Sequence, residues 1–170
     1  MIIVDSREKS WSHIKDYFDE NGIEYRDRIK LDVGDYFNTD YPYVVVDRKS
    51  GLQEVCSNLV NGKNNFYRFS KECKRAKDRR MKLIVLVEGT NCRSLDDVTS
   101  WKSKYVHLTG DWLKRQMRRM EITHGIEWKF CRKTETARRI LELTHYDNGR
   151  NKAKRDNAGA DGTIRNQDQK

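Results

Sequence analysis

The residues best suited to chemistry lie in one stretch, residues 34–49, GDYFNTDYPYVVVDRK. Asp35 stands at its start, and Asp47, Arg48 and Lys49 close it. The β-branched run Val44-Val45-Val46 predicts a strand, and strand side chains alternate between faces. Asp47 and Lys49 therefore share one face and Arg48 takes the other. A carboxylate and an ammonium at the end of an apolar strand are costly to bury unless they are paired or bind a metal. Asp35 is placed to be the partner across a β-ribbon formed by residues 31–37 and 43–48. Two carboxylates and a lysine meeting at a strand end suit metal-assisted phosphodiester hydrolysis. The carboxylates offer hard oxygen ligands to a cation such as Mg²⁺. The cation activates a water and neutralises phosphate charge, while the lysine steadies the water or the leaving oxygen. Asp-x-Lys alone also occurs on many solvated strands, so the rest of the chain has to decide between a site and a surface ion pair.

The elements that must position these residues follow from periodicity. Residues 1–4 predict a short apolar strand that ends at Asp5-Ser6-Arg7-Glu8. A helix is expected over residues 10–20, with Trp11, Ile14, Tyr17 and Phe18 on one face and Asn21-Gly22 as its stop. Residues 23–29 form an imperfect strand pattern, and Pro42 falls inside the ribbon, where an edge or bulge would tolerate it. A helix over residues 51–60 carries Leu52, Val55, Cys56 and Leu59 inward. The next, over residues 66–80, ends in a dense basic run. Leu83-Ile84-Val85-Leu86-Val87 reads as a central strand buried on both faces, closed by Glu88-Gly89. Ser94 with Asp97 resembles a capping box for a short helix. Thr109 starts a helix with Trp112, Leu113, Met117 and Met120 inward and Lys114, Arg115, Arg118 and Arg119 outward. A strand over residues 126–131 and a helix over residues 134–143 follow, the latter burying Ala137, Ile140, Leu141 and Thr144. Alternating helices and strands, with consecutive strands near the start, predict an α/β sandwich around a mixed sheet. The folded domain is expected to span residues 1–146. Residues 147–170 are too polar to fold alone and are expected to be a disordered tail.

Hydrophobic and charged residues each make up 36% of the 170, and the net charge is +9, so the surface is dense with charge and suits a polyanion. Nucleic acid is the first candidate and an anionic membrane surface the second. No apolar run approaches the roughly 20 residues of a membrane span, and residues 1–5 lack the features of a signal peptide. Cys56, Cys73, Cys92 and Cys131 show no metal-binding spacing and are expected to be reduced thiols in a cytoplasmic protein.

Four pieces in order, Val4-Asp5-Ser6-Arg7-Glu8, Gly34-Asp35-Tyr36, Asp47-Arg48-Lys49-Ser50 and Val87-Glu88-Gly89, resemble the nuclease domain of the XPF-type structure-specific endonucleases. The resemblance covers roughly residues 1–145 and implies a restriction-endonuclease-like α/β/α fold. The closing half also looks like the small single-domain members found in bacteriophages and prophages, which implies a host-cell cytoplasmic setting. The family motif is Gly-Asp, a variable stretch, Glu-Arg-Lys, three residues and Asp. Two positions depart from it. Asp47 stands where the family usually has Glu, and Gln53 stands where it has the final Asp. Glu54, one residue later, either replaces that acid or is a solvated first-turn glutamate. The tandem helix-hairpin-helix domain of many relatives is expected to be absent, because the tail is too short and too polar to form it.

The resemblance implies Asp35 and Asp47 as metal ligands and Lys49 as the group facing the scissile phosphate. Glu8, placed in the first helix, is expected to be a further ligand or to orient the water. Asp5 and Arg7 shape the site, with Asp5 pairing either Arg7 or Lys49, and Arg48 ties neighbouring acids or backbone together. Arg7, Lys63, Arg68, Lys71, Lys74 and Arg75 are the candidate DNA contacts. Glu88 is expected to partner a basic side chain, and His13 to be a surface residue. The implied activity is a Mg²⁺-dependent DNA endonuclease (Mn²⁺ substituting) acting on flaps, forks and other branched DNA in phage or host replication, recombination or repair. A non-catalytic DNA-binding subunit is the alternative, and a basic DNA binder using the helix from Thr109 is a third reading. The last two helices resemble the family's dimerisation segment, so Trp112, Met117, Ile140 and Leu141 serve either a homodimer or the core.

Overall fold

The computed structural model describes residues 1–60, 62–104 and 108–147. Among them, strands and helices alternate as β1 (Ile2–Asp5), α1 (Ser12–Glu20), β2 (Tyr25–Ile29), β3 (Tyr36–Asn38), β4 (Val44–Lys49), α2 (Leu52–Leu59), α3 (Asn64–Asp78), β5 (Lys82–Val87), α4 (Gly110–His124), β6 (Glu127–Phe130) and α5 (Thr136–Leu143). Short 3-10 turns at Asp96–Ser100 and Lys133–Glu135 precede α4 and α5.

One six-stranded sheet runs in the order β2-β1-β3-β4-β5-β6. β1 pairs β2 in parallel and β3 antiparallel, β3 pairs β4 antiparallel, and β4, β5 and β6 are parallel. The mixed sheet expected from the element order is thus present. The apolar strand β5 is interior but second from an edge rather than central, because β6 adds only one strand beyond it. β2 forms the opposite edge. Its Arg26, Asp27 and Arg28 are exposed, which is how an edge strand avoids pairing with another chain.

Alternation along β4 and β5 feeds two separate cores. Val45, Leu83, Val85 and Val87 pack with Leu52, Val55, Leu59, Phe69, Leu113 and Met117 from α2, α3 and α4. Val44, Val46, Ile84 and Leu86 pack with Ile14, Phe18, Ala137 and Ile140 from α1 and α5. Each fully buried aliphatic side chain contributes about 1.5–3 kcal/mol of burial, so both helical layers are held firmly and the architecture is α/β/α. Met117 and Ile140 have no exposed surface. They fill the core, so neither is available to a dimer contact.

Several boundaries differ from the periodicity reading. The first helix starts at Ser12, and Glu8 lies in the preceding loop. Pro42 sits in the turn between β3 and β4, where no ladder hydrogen bond is lost, rather than inside a strand. The last helix opens with a 3-10 turn before α5. Thr109 caps α4 as expected, its hydroxyl oxygen accepting from the Trp112 N–H at 3.2 Å. Of the expected polar tail over residues 147–170, residues 148–170 lie outside the described residues.

Candidate active site

The β3–β4 hairpin sets the centre of the site. Tyr36 pairs with Val46, and just beyond that pair the Asp35 N–H donates to the Val46 carbonyl at 2.8 Å. The Arg48 N–H then donates to Asp35 Oδ2 at 2.8 Å, which fixes the Asp35 carboxylate beside the end of β4. Gly34 makes this approach possible. Its φ is +65°, and a Cβ there would lie 2.4 Å from Val45 Cγ2 and 3.0 Å from the Val46 carbonyl oxygen. The glycine that precedes Asp35 is therefore required by close backbone packing and a left-handed conformation together.

Asp47 and Lys49 point to the α2/α3 side. Lys49 Nζ donates to Asp47 Oδ1 at 2.7 Å, and Asp47 Oδ2, 2.6 Å from the same nitrogen, accepts no hydrogen bond of proper geometry. The ammonium also lies 5.4 Å from the Phe69 ring centre. Burial opposes its charge, but Asp47 and Asp35 outweigh that penalty and hold Lys49 protonated, above its ordinary range. Burial, then the charges of Asp47 and Glu8, push the Asp35 carboxyl well above the usual carboxylate range. Negative charge is thus crowded here, which a bound cation would relieve.

Arg48 points to the other face. Its guanidinium donates to Glu8 Oε1, to the Lys9 carbonyl at 2.8 Å, and to Glu88 Oε1 at 2.5 Å. Glu88 Oε2 in turn accepts from the Thr136 hydroxyl at 2.8 Å and lies 2.9 Å from His13 Nε2. The expectation that Glu88 partners a basic side chain is met. His13, read from sequence as a surface residue, instead belongs to this network, because Glu88 emerges from β5 directly opposite α1. Burial raises the Glu8 carboxyl although Arg48 opposes the shift.

Asp5, buried at the end of β1, is held by Arg7 through Nε at 2.9 Å and Nη2 at 2.7 Å, and it also accepts the Arg7 and Leu31 N–H groups. Burial would raise its carboxyl, but these hydrogen bonds together hold it below the usual range. Of the two partners open to Asp5, the structure selects Arg7 over Lys49.

These groups line one cleft of about 700 Å³. Asp5, Arg7, Glu8, Asp35, Asp47, Arg48, Lys49 and Glu54 all face it, with Arg68, Lys71 and Arg75 from α3 as a basic wall. Lys63 and Lys74 lie outside it. Lys63 is the residue before α3, and Lys74 pairs with Asp78 on the surface at 2.9 Å. Glu54 faces the cleft and accepts from the Ser50 N–H and hydroxyl, both at 2.8 Å. Gln53 turns away, accepting from the Ser103 hydroxyl at 3.2 Å and the Lys104 N–H at 3.1 Å. The acid in the cleft is thus one residue later than the family pattern expects.

Glu72 is the functional candidate that sequence reading missed. It lines the cleft and accepts the Gly34 N–H at 2.7 Å, and burial, then Asp47, raises its carboxyl. Its signal in the sequence was drowned by the surrounding lysines and arginines of α3, and only its phase, shared with Phe69 and Arg68, sets it on the inner side.

The donor set fits a hard divalent cation. Asp35 and Asp47 offer carboxylate oxygens, one of them an orphaned buried atom. Among the described residues no three acid, histidine or cysteine side chains converge into a closed cage, and Glu8 Oε1 is occupied by Arg48. A two-carboxylate site that leaves the remaining positions to water and phosphate is the arrangement Mg²⁺ prefers.

Comparison with known proteins gives the family and the fold. The ERCC4 domain family model matches residues 4–143. No curated protein matches the chain. Among solved structures, XPF from Aeropyrum pernix superposes with a TM-score of 0.63 at 19% identity, over 98% of this chain and 67% of that one. XPF from Aeropyrum pernix in complex with DNA gives 0.60 at 20% identity, over 85% of this chain and 62% of that one. This chain therefore spans about two thirds of the length of those structures, and the fold it shares with them is that of the XPF nuclease. With three of the four motif pieces lining one cleft, the fourth tied to it through the Arg48–Glu88 pair, and the family model covering nearly all of the described residues, the chain belongs to the ERCC4 domain family of XPF-type nucleases.

Proposed function

We propose that this chain is a divalent-cation-dependent DNA endonuclease that hydrolyses phosphodiester bonds. The observation that carries the proposal is the meeting of Asp35, Asp47 and Lys49 in a cleft whose α3 wall is basic. Asp35 and Asp47 would hold Mg²⁺, or Mn²⁺ in its place, and the cation supplies activation of a water and charge neutralisation on the phosphate. Asp47 keeps Lys49 charged and aimed into the cleft, where the ammonium faces the scissile phosphate and stabilises charge that grows as water adds. Glu54, held by Ser50, stands in for the family's final acid. Glu8 and Arg48 fix the floor, and Glu8 orients water at its edge. Arg7, Arg68, Lys71 and Arg75 receive the flanking phosphates, with Lys63 and Lys74 more distant.

The substrate proposed is duplex DNA that meets a single-stranded arm, as in flaps and forks. Such structures arise in replication, recombination and repair of phage or host DNA. A homodimer through α4 and α5 would rest on their outer faces, where Ile122 is 80% exposed. No helix among the described residues is long and apolar enough to cross a membrane.

One observation favours a second reading, a DNA-binding subunit with weak or no cleavage: Gln53 stands where the family has an acid and faces away from the cleft. Incubating flap, fork, four-way and plain duplex DNA with Mg²⁺, Mn²⁺ or EDTA separates the two. Cation-dependent cutting that is lost in Asp35→Asn and Lys49→Ala, with DNA affinity retained, supports the nuclease. Tight binding without cutting in any cation supports the subunit.

A further inference from the structure

The helix that walls the cleft has a second exposed face. Arg68, Lys71 and Arg75 line the cleft, while Tyr67, Ser70, Lys71, Lys74 and Lys77 line a separate groove of about 450 Å³ shared with Thr123 and His124 at the end of α4. Lys71 belongs to both. Tyr67, Lys71 and Lys74 recur at i, i+4 and i+7, so they form one stripe along α3. Tyr67 is 53% exposed, although a ring of this size ordinarily buries itself where packing allows. The neighbouring Phe66 ring meets it edge-on with centres 5.8 Å apart, which limits its freedom without covering it. Lys74 is paired with Asp78, while Lys71 and Lys77 have no acidic partner among the described residues. The fold gives no use for an exposed ring and unpaired lysines beside the cleft.

We propose that this outer face of α3 is a track for a single-stranded DNA arm leaving the cleft, with Tyr67 as the platform on which one unpaired base stacks. The proposal rests on the nuclease reading above and adds to it the feature of the substrate that this chain selects. A strand whose phosphate lies at Lys49 crosses the α3 wall at Lys71, the residue common to both grooves. Beyond that point its phosphates meet Lys71 and Lys77, and its bases reach Tyr67. A basic face alone would accept duplex phosphates equally well. The exposed ring is what discriminates, because paired bases are already stacked on their neighbours and cannot offer a face to it.

The test is fluorescence anisotropy of the full chain in EDTA with three DNAs: a fork with single-stranded arms, the same duplex without arms, and a single strand. Tyr67→Ala should weaken the fork and the single strand about tenfold and leave the plain duplex within about twofold. Tyr67→Phe should bind all three like wild type, because stacking needs the ring and not the hydroxyl. Lys71→Ala and Lys77→Ala should each lower the salt dependence of fork binding by about one ion. The proposal is overturned if Tyr67→Ala changes none of the three, if it weakens plain duplex equally, or if Tyr67→Phe behaves like Tyr67→Ala. Parallel cleavage assays separate the levels. Wild-type cutting of forks with Tyr67→Ala unaffected removes the track alone, whereas wild-type protein that binds and cuts none of the DNAs removes the nuclease reading and the track with it.

Discussion

Arg48 Nη1 lies 2.5 Å from Glu88 Oε1 while the rest of its guanidinium holds Glu8. One buried cation on β4 thereby joins the end of β5 to the loop before α1. Removing either acid strands a buried charge. Glu88→Ala should cost about 3–5 kcal/mol, the usual penalty for breaking a buried pair from one side. Glu88→Gln, which keeps a hydrogen-bonding group for Thr136 and Arg48, should cost less. Urea unfolding followed by circular dichroism checks both, as a fall in midpoint at unchanged slope.

Gly34 is the second sensitive point. Gly34→Ala places a methyl on Val45 and forces an L-residue into φ of +65°. The expected loss is about 2–4 kcal/mol from overpacking and backbone strain together. Cleavage should fall further than stability explains, because Asp35 is carried by the same backbone. Thermal unfolding and single-turnover cleavage of the variant measure the two effects separately.

The acids of the cleft predict an unusual pH dependence. Burial first, and neighbouring negative charge, raise Asp35, Glu8 and Glu72 above the usual carboxylate range. The folded protein therefore holds protons that the unfolded chain releases. In EDTA its stability should fall as pH rises above about 4, by up to about 1.4 kcal/mol per pH unit for each such proton. Asp5, held low by Arg7, acts oppositely, and its contribution is lost only as pH falls through its own lowered value. Asp35→Asn should flatten the decline. At neutral pH, Mg²⁺ should raise the melting temperature of wild type and not of Asp35→Asn or Asp47→Asn. A melting-temperature series across pH, with and without Mg²⁺, reads all of this.

Gln53 and Glu54 should separate cleanly. Glu54→Gln should reduce Mg²⁺-supported cleavage at least about tenfold, a loss of about 1.4 kcal/mol in barrier height. Gln53→Ala should leave cleavage within about twofold, since that side chain binds the 103–104 segment. Equal activity of Glu54→Gln and wild type would assign Glu54 to helix capping alone. Rates on one flap substrate at saturating Mg²⁺ suffice.

Much of this was legible in the chain itself. Val44-Val45-Val46 and Leu83-Ile84-Val85-Leu86-Val87 announce strands buried on both faces, and alternation correctly sends Arg48 away from Asp47 and Lys49. Thr109 announces a helix start by its own capping oxygen. What could not be read was contact between distant segments. Nothing local says that Glu72, among lysines, turns inward to Gly34, or that His13 meets Glu88 across 75 positions. The order of the strands is likewise a tertiary fact, so an apolar strand was expected at the centre and stands beside the edge. The choice between Gln53 and Glu54 needed the position of α2, because a helix rotates its side chains about 100° per residue.

The turn at residues 39–43 has a consequence for how this chain can fail. It sets the pairing of Tyr36 with Val46 and so the facing of everything after it. A one-residue deletion there that slid β4 against β3 would exchange the faces of β4. Arg48 would then leave Glu8 and Glu88 for the side of α2 and α3, and Asp47 and Lys49 would press into the layer of α1 and α5. The chain would keep every motif and lose the site, an error that motif searching cannot see. The length of this short turn thus matters to the site as much as the acids that the site displays.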